Sequence, residues 1–258
     1  MTLTTPLNAI AAIDNSDRIK SDVRDVILRI AVPTAIPSHR NPSEDPLKQL
    51  LRGAMYIATL ACASPHLQVA VQQSGVVRDA AGLAFVLFGS SGVLNIMAAC
   101  MALFGIRSAS PFRNPMFSKT MSSFWSGRWN ATVSDALRVG VYEPLRKRGF
   151  SKPICSLACF LVSGVAHEVV LMYCGILDSK GEWMMFFFLS GVAVLVERRF
   201  ISQTHKLVQH LTTICVLYAL FHYLFVPVTI RTGLAQNGVQ SIRAGVKLAQ
   251  ALGQWMST

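Results

Sequence analysis

From residue 80 to residue 106 the chain runs for 27 residues without a charged side chain. An α-helix rises 1.5 Å per residue, so about 20 apolar residues cross the hydrocarbon layer of a bilayer. This run alone sets the class of the molecule. The expectation is an all-α, polytopic helical membrane protein with about four to five transmembrane helices plus interfacial amphipathic helices. Composition agrees: 52% of the 258 residues are hydrophobic and 14% are charged, against roughly 25% charged in soluble domains.

Four further apolar stretches accompany the first. Residues 53–63 form a short run beside Arg52 and read as a doubtful span. Residues 154–177 are long enough but contain His167 and Glu168. Residues 183–196 lie between Glu182 and Glu197 and are marginal unless their ends snorkel or the bilayer thins. Residues 211–230 hold His222, with Pro227 near their end. The organisation expected is a polar segment 1–49, a membrane-embedded core 50–230 and a basic tail 231–258. Within the first segment Ile19, Val23, Val26, Ile27 and Ile30 recur at helical spacing among Arg18, Lys20, Arg24 and Arg29, the pattern of an amphipathic helix lying on a membrane. Pro33, Pro37, Pro42 and Pro46 then predict an extended connector. No cleavable signal is expected, because the first 20 residues lack an apolar run preceded by basic residues.

The excess of 24 Lys and Arg over 13 Asp and Glu, a net +11, would suit nucleic acid, but the apolar runs argue for anionic headgroups instead. The six cysteines, at 62, 100, 155, 159, 174 and 215, all fall in apolar stretches and lack zinc-site spacing. They are expected as reduced, packed residues, with no metal. Residues 107–153 carry nine basic side chains against Asp135 and Glu143, whereas residues 178–182 hold two acidic and one basic. The basic loop is therefore predicted to be cytosolic and the acidic one lumenal. Arg231, Arg243 and Lys247 then fall on the lumenal side, against the rule, which leaves re-entry of 183–196 or 211–230 as an alternative.

His167 and Glu168 are the most informative residues. An ionisable side chain at mid-bilayer costs at least about 2.5 kcal/mol on insertion scales, and such residues are usually functional. Cys159, Ser163 and His167 are spaced i, i+4, i+8, a small and polar helical face suited to a cavity or to another helix. Burial disfavours the charged form of histidine, so His167 should be neutral and able to accept a proton, as a general base must. The plainer reading is a histidine hydrogen-bonded across a helix interface. Upstream, Trp125, Trp129, Val133 and Leu137 recur every four residues. An interfacial anchor explains the tryptophans and Arg128, but not Asn130.

Three ordered motifs add a resemblance. Phe124-Trp125-Ser126-Gly127-Arg128-Trp129-Asn130, then Val141-Tyr142-Glu143-Pro144-Leu145-Arg146, then Ser163-Gly164-Val165-Ala166-His167-Glu168 resemble the wax synthase branch of the membrane-bound O-acyltransferases. The likeness covers about residues 110–200. The 37-residue separation of Asn130 and His167 is similar to that in sterol and diacylglycerol acyltransferases.

The resemblance implies transfer of a fatty acyl group from acyl-CoA, as co-substrate without a cofactor, to the hydroxyl of a long-chain alcohol or a sterol. It implies a multi-pass protein of the endoplasmic reticulum membrane with the bilayer, acyl-CoA and the alcohol as partners and no nucleic acid. His167 would be the base and Asn130 its partner, orienting the imidazole or donating to the oxyanion. Phe124, Trp125, Arg128, Trp129, Arg146, Ser163 and Glu168 would form the substrate site, with Arg128, Arg146, Lys147 and Arg148 as candidates for the coenzyme A phosphates. Glu168, about 100° around the helix from His167, would orient rather than react. Family members generally carry more spans than are visible here. The alternative is therefore a truncated or inactive paralogue, or a chain that works as a homo-oligomer. A transporter using His167, Glu168 and His222 as a proton relay is the third reading.

Overall fold

The computed structural model describes residues 44–73, 75–104, 109–176 and 180–256. The amphipathic pattern at 18–30 lies outside them. Among the described residues the secondary structure is helical, with no strand. Helix α1 (Pro46–Val71) starts where the Asp45 side chain accepts from the Leu47 N–H at 2.9 Å, with proline in the first turn, a position that costs no hydrogen bond. Arg52, which made residues 53–63 look short, is paired with Glu44 at 2.5 Å and donates to Ser110 Oγ at 3.0 Å. With its charge answered, the helix extends on both sides of the apolar run to 26 residues.

Helix α2 (Val76–Leu103) packs closely on α1. A Cβ placed on Gly53 would stand 2.7 Å from Ile96 Cγ1 and 2.9 Å from the Gly92 carbonyl, the small-residue contact that lets membrane helices approach. Short turns lead to α3 (Ala131–Leu137), then α4 (Lys152–Tyr173), α5 (Glu182–Val196), α6 (Lys206–Leu220) and α7 (Leu234–Met256). Helix α6 continues through a π-turn, Phe221–Phe225, into the helix Val226–Arg231. Among the described residues four helices are long and apolar enough to cross a membrane: Pro46–Val71, Val76–Leu103, Lys152–Tyr173 and the continuous Lys206–Arg231.

Helix α5 has 15 residues, yet contacts at both its ends show that it traverses the bundle. At one end Glu182 pairs with Arg231 and Trp183 Nε1 donates to the Phe225 carbonyl at 3.3 Å. At the other, Glu197 accepts from the Met121 amide at 2.8 Å. The Ser118 carbonyl meets His210 Nδ1 nearby at 2.9 Å, so the loop before α3, the end of α5 and the start of α6 share one end. Residues 183–196 and 211–230 both lie in helices that run between these two ends. The residues read as a basic tail form α7, from which Arg243 donates to Gln68 of α1 at 2.5 Å.

His222 sits on the π-turn of the last span and meets the buried Asp79 carboxylate, which also accepts from Tyr218 Oη at 3.1 Å. These groups clamp α2 to the last span. Cys155 is buried and Cys159 half-buried, but Cys62, Cys100, Cys174 and Cys215 are exposed on helix surfaces. The expectation of packing inside the protein fails for these four, since an apolar membrane helix places small residues toward lipid as readily as toward its neighbours.

Candidate active site

The segment 120–130 is held from two sides. The Thr120 side chain accepts from the Ser123 amide at 2.9 Å, and the Ser123 hydroxyl answers the Thr120 amide at 3.3 Å, a capping box. Glu197, 5% exposed, reaches in from the end of α5 and accepts from the amides of Met121 and Ser122 at 2.8 and 3.0 Å. The chain then makes a π-turn, Phe124–Arg128, closed by the Trp129 amide on the Phe124 carbonyl at 2.9 Å. Such turns are frequent at functional sites because they re-aim side chains that an α-helix would place elsewhere.

The aromatic residues divide. Phe124 is buried and stacks on Trp129 with centroids 5.3 Å apart. Trp125 packs against Phe160 of α4 and Phe187 of α5 at 5.8 and 5.6 Å, so one indole locks the turn onto both helices. Asn130 has φ 42° and ψ 62°, the left-handed region, which asparagine tolerates better than most residues. Its Oδ1 accepts from the Val133 amide at 3.3 Å and caps α3. The residue that an interfacial anchor left unexplained therefore has a turn and a cap to make, while its Nδ2 remains a donor.

On α4, His167 Nδ1 lies 2.7 Å from the Ser163 carbonyl oxygen. A carbonyl can only accept, so Nδ1 carries a proton, and in the neutral ring the lone pair is on Nε2. The ring rests on Phe187, centroids 4.2 Å apart, and meets Trp183 edge-on at 5.9 Å. Helix α5 comes this close because Gly164 has no side chain: a Cβ there would stand 3.0 Å from Met184 Cα. Glu168 accepts from the Met184 amide at 3.1 Å, a free N–H of the first turn of α5.

These elements enclose a cavity of about 320 Å³. Ser156, Cys159, Ser163 and His167 line it from α4, at spacings of three or four residues, and Phe187, Val194 and Arg198 face it from α5 and the π-turn that follows, Glu197–Ile201. Trp125, Trp129 and Asn130 complete one wall, and Arg138 and Tyr142, from a further π-turn, Arg138–Tyr142, another. Of the residues expected from sequence, His167, Asn130, Trp125, Trp129 and Ser163 meet in this one space. Asn130 and His167 share it without a hydrogen bond between them among the described residues. The Ser163 carbonyl, not Asn130, orients the imidazole.

Six expected residues do not line the cavity, and two of them, Lys147 and Arg148, are exposed. Phe124 is packing. Arg128 donates to the Arg113 and Asn114 carbonyls, each at 3.3 Å, and Arg146 to the Phe150 carbonyl. Glu168 serves the start of α5. The cavity instead holds two arginines that sequence reasoning passed over as site residues, Arg138 and Arg198. His222 pairs with Asp79 and is not among the residues that line this cavity.

Chemically, the cavity offers a proton acceptor at His167 Nε2, a neutral donor at Asn130 Nδ2 and cations at Arg138 and Arg198, between walls of mixed aromatic, aliphatic and serine side chains. Comparison with known proteins points the same way. The probable long-chain-alcohol O-fatty-acyltransferase 7 of Arabidopsis thaliana is 32% identical over 140 residues, 49% of this chain and 41% of that protein. Acyl-CoA–sterol O-acyltransferase 1 of the same plant is 26% identical over 171 residues, 64% of this chain and 49% of the relative. The long-chain-alcohol O-fatty-acyltransferase of Simmondsia chinensis is 34% identical over 104 residues, 37% and 29% of the two chains. Less than half the length of each relative is spanned. Residues 108–190, which contain the π-turn segment, Asn130 and His167, match the model of the membrane bound O-acyl transferase family.

Proposed function

We propose that the chain carries the catalytic core of an acyl-CoA-dependent O-acyltransferase that esterifies a long-chain alcohol. The observation that supports the reading is the His167–Ser163 hydrogen bond within the cavity, which fixes the tautomer so that the neutral imidazole presents its Nε2 lone pair. An alcohol is a poor nucleophile, so its proton must leave as it attacks. His167 Nε2 takes that proton while the alcohol oxygen bonds to the thioester carbonyl carbon. The carbonyl oxygen gains negative charge, and Asn130 Nδ2 is the neutral donor available to it. The intermediate then collapses: the carbon–sulfur bond breaks, coenzyme A leaves as its thiol with the proton held by His167, and the ester remains.

A sterol acceptor is the second reading, favoured by the sterol acyltransferase, whose similarity extends over more of this chain than that of the two alcohol acyltransferases. Both readings set the protein in the endoplasmic reticulum membrane with residues 107–153 toward the cytosol, where acyl-CoA is met. The test is expression in cells that lack neutral-lipid ester synthesis, with labelled acyl-CoA and a panel of fatty alcohols and sterols. Labelled wax ester supports the first reading, and steryl ester alone the second. An accumulating protein that makes no ester from any acceptor is the non-catalytic paralogue.

A further inference from the structure

We infer that Arg198 is the residue that receives the phosphates of the coenzyme A donor, a role for which the sequence offers Arg128, Arg146, Lys147 and Arg148, none of which lines the cavity. The inference rests on the transferase reading for the identity of the ligand and on geometry for the choice of residue. Arg128 and Arg146 lie outside the cavity and spend their guanidinium groups on backbone carbonyls. Arg138 is inside, but Asp135 at 3.6 Å and Glu143 at 2.5 Å place two carboxylates against its one charge. It braces the wall and offers no net positive field.

Arg198 differs on each count. It lines the cavity, it is exposed, and its side chain donates to the Ser122 hydroxyl at 2.7 Å. The adjacent Glu197 does not quench it, because that carboxylate is turned inward onto the Met121 and Ser122 amides and the Thr213 hydroxyl. Phe187, beneath the His167 ring, and Arg198 are 11 residues apart on one helical run, about 16 Å along its axis. The cavity thus has a base at its inner end and a guanidinium at its outer end. A thioester with a polyanionic handle has the same two ends, and a guanidinium forks onto phosphate oxygens through paired N–H donors.

The experiment measures binding rather than turnover, using the full chain in nanodiscs. Two non-hydrolysable thioethers with the same acyl chain serve as probes: one of coenzyme A, and one of pantetheine without phosphates. Arg198→Ala is expected to weaken the coenzyme A probe at least tenfold and leave the pantetheine probe within twofold, with Arg198→Lys recovering part of the loss. Arg199→Ala, whose guanidinium lies over the Phe200 ring, should change neither. Equal losses for both probes in Arg198→Ala, or no loss for either, overturn the assignment. So does a wild-type protein that does not distinguish the probes. If Arg198→Ala does not accumulate, Arg198→Gln keeps a polar, uncharged side chain and must show the same selective loss. Phosphate-dependent binding through Arg198 without ester formation leaves the assignment standing and rejects the transferase reading. Ester formation with unaltered probe binding in the variants does the reverse.

Discussion

His167 donates through Nδ1 to the carbonyl of Ser163, 2.7 Å away and one turn earlier on the same helix. The bond fixes which nitrogen can act as a base without help from any other element. His167→Ala should therefore abolish ester formation while the protein still accumulates in membranes. Substantial ester from an accumulating variant would remove His167 from the mechanism.

Asn130 caps α3 with Oδ1 and has Nδ2 to spare, so the two functions can be separated. Asn130→Asp keeps a good cap but loses the donor. We expect kcat to fall about 10²–10³-fold, the cost of a lost oxyanion donor, with the KM for acyl-CoA within a few-fold. Asn130→Gly keeps the left-handed turn and loses both functions, and should be slower still and less stable. A fully active Asn130→Asp would reduce the residue to its cap.

Glu168 is bonded to the Met184 amide outside the cavity. Glu168→Gln preserves an acceptor and should leave both KM values nearly unchanged. Glu168→Ala should lower stability by about 1 kcal/mol, as for a lost N-terminal cap, seen as a lower inactivation temperature. A selective rise in KM for either substrate in Glu168→Gln would return the residue to the substrate site.

Gly164 allows α5 within 3.0 Å of where a Cβ would stand. Gly164→Ala pushes on Met184 backbone, which cannot rotate away, and should destabilise by about 1–3 kcal/mol. Because Ser163 and His167 flank this contact, activity should fall with stability. Thermal inactivation and ester assays on one preparation check both, and a variant as stable and active as wild type would mean that the helices meet elsewhere.

Ser151 lies at the start of α4, and Lys180 precedes α5 at the opposite end. In sealed microsomes an impermeant maleimide should label Ser151→Cys from outside and Lys180→Cys only after permeabilisation. The reverse pattern would turn the bundle over.

The spans at 80–106, 154–177 and 211–230 were readable because hydropathy over 20 residues reports bilayer crossing directly. α1 was underread: Arg52, Pro65, His66 and Gln68 interrupt its apolar run, and only the Glu44 and Ser110 contacts show how Arg52 is accommodated. The 4-residue spacing of Cys159, Ser163 and His167 marked a cavity wall correctly, since helical periodicity fixes a face. Arg198 belongs to none of the three motifs. Its place at the cavity depends on Glu197 folding inward and on a π-turn, and neither leaves a periodic trace. Arg128 and Arg146 were overvalued for the same reason, as the carbonyls that occupy them are set by local backbone geometry.

Three of the cavity's walls are supplied by π-turns, at Phe124–Arg128, Arg138–Tyr142 and Glu197–Ile201. Each holds one residue more than an α-helical turn would. Removing that residue would leave the flanking helices threaded as they are, but would rotate everything beyond it by about 100°. Trp129, Tyr142 and Arg198 would then face other directions while the spans kept their places in the bilayer. Insertion into the membrane and the shape of the reaction space are thus written in separate parts of the chain. A single-residue length change at one of these turns is a route by which one bundle can come to accept different substrates.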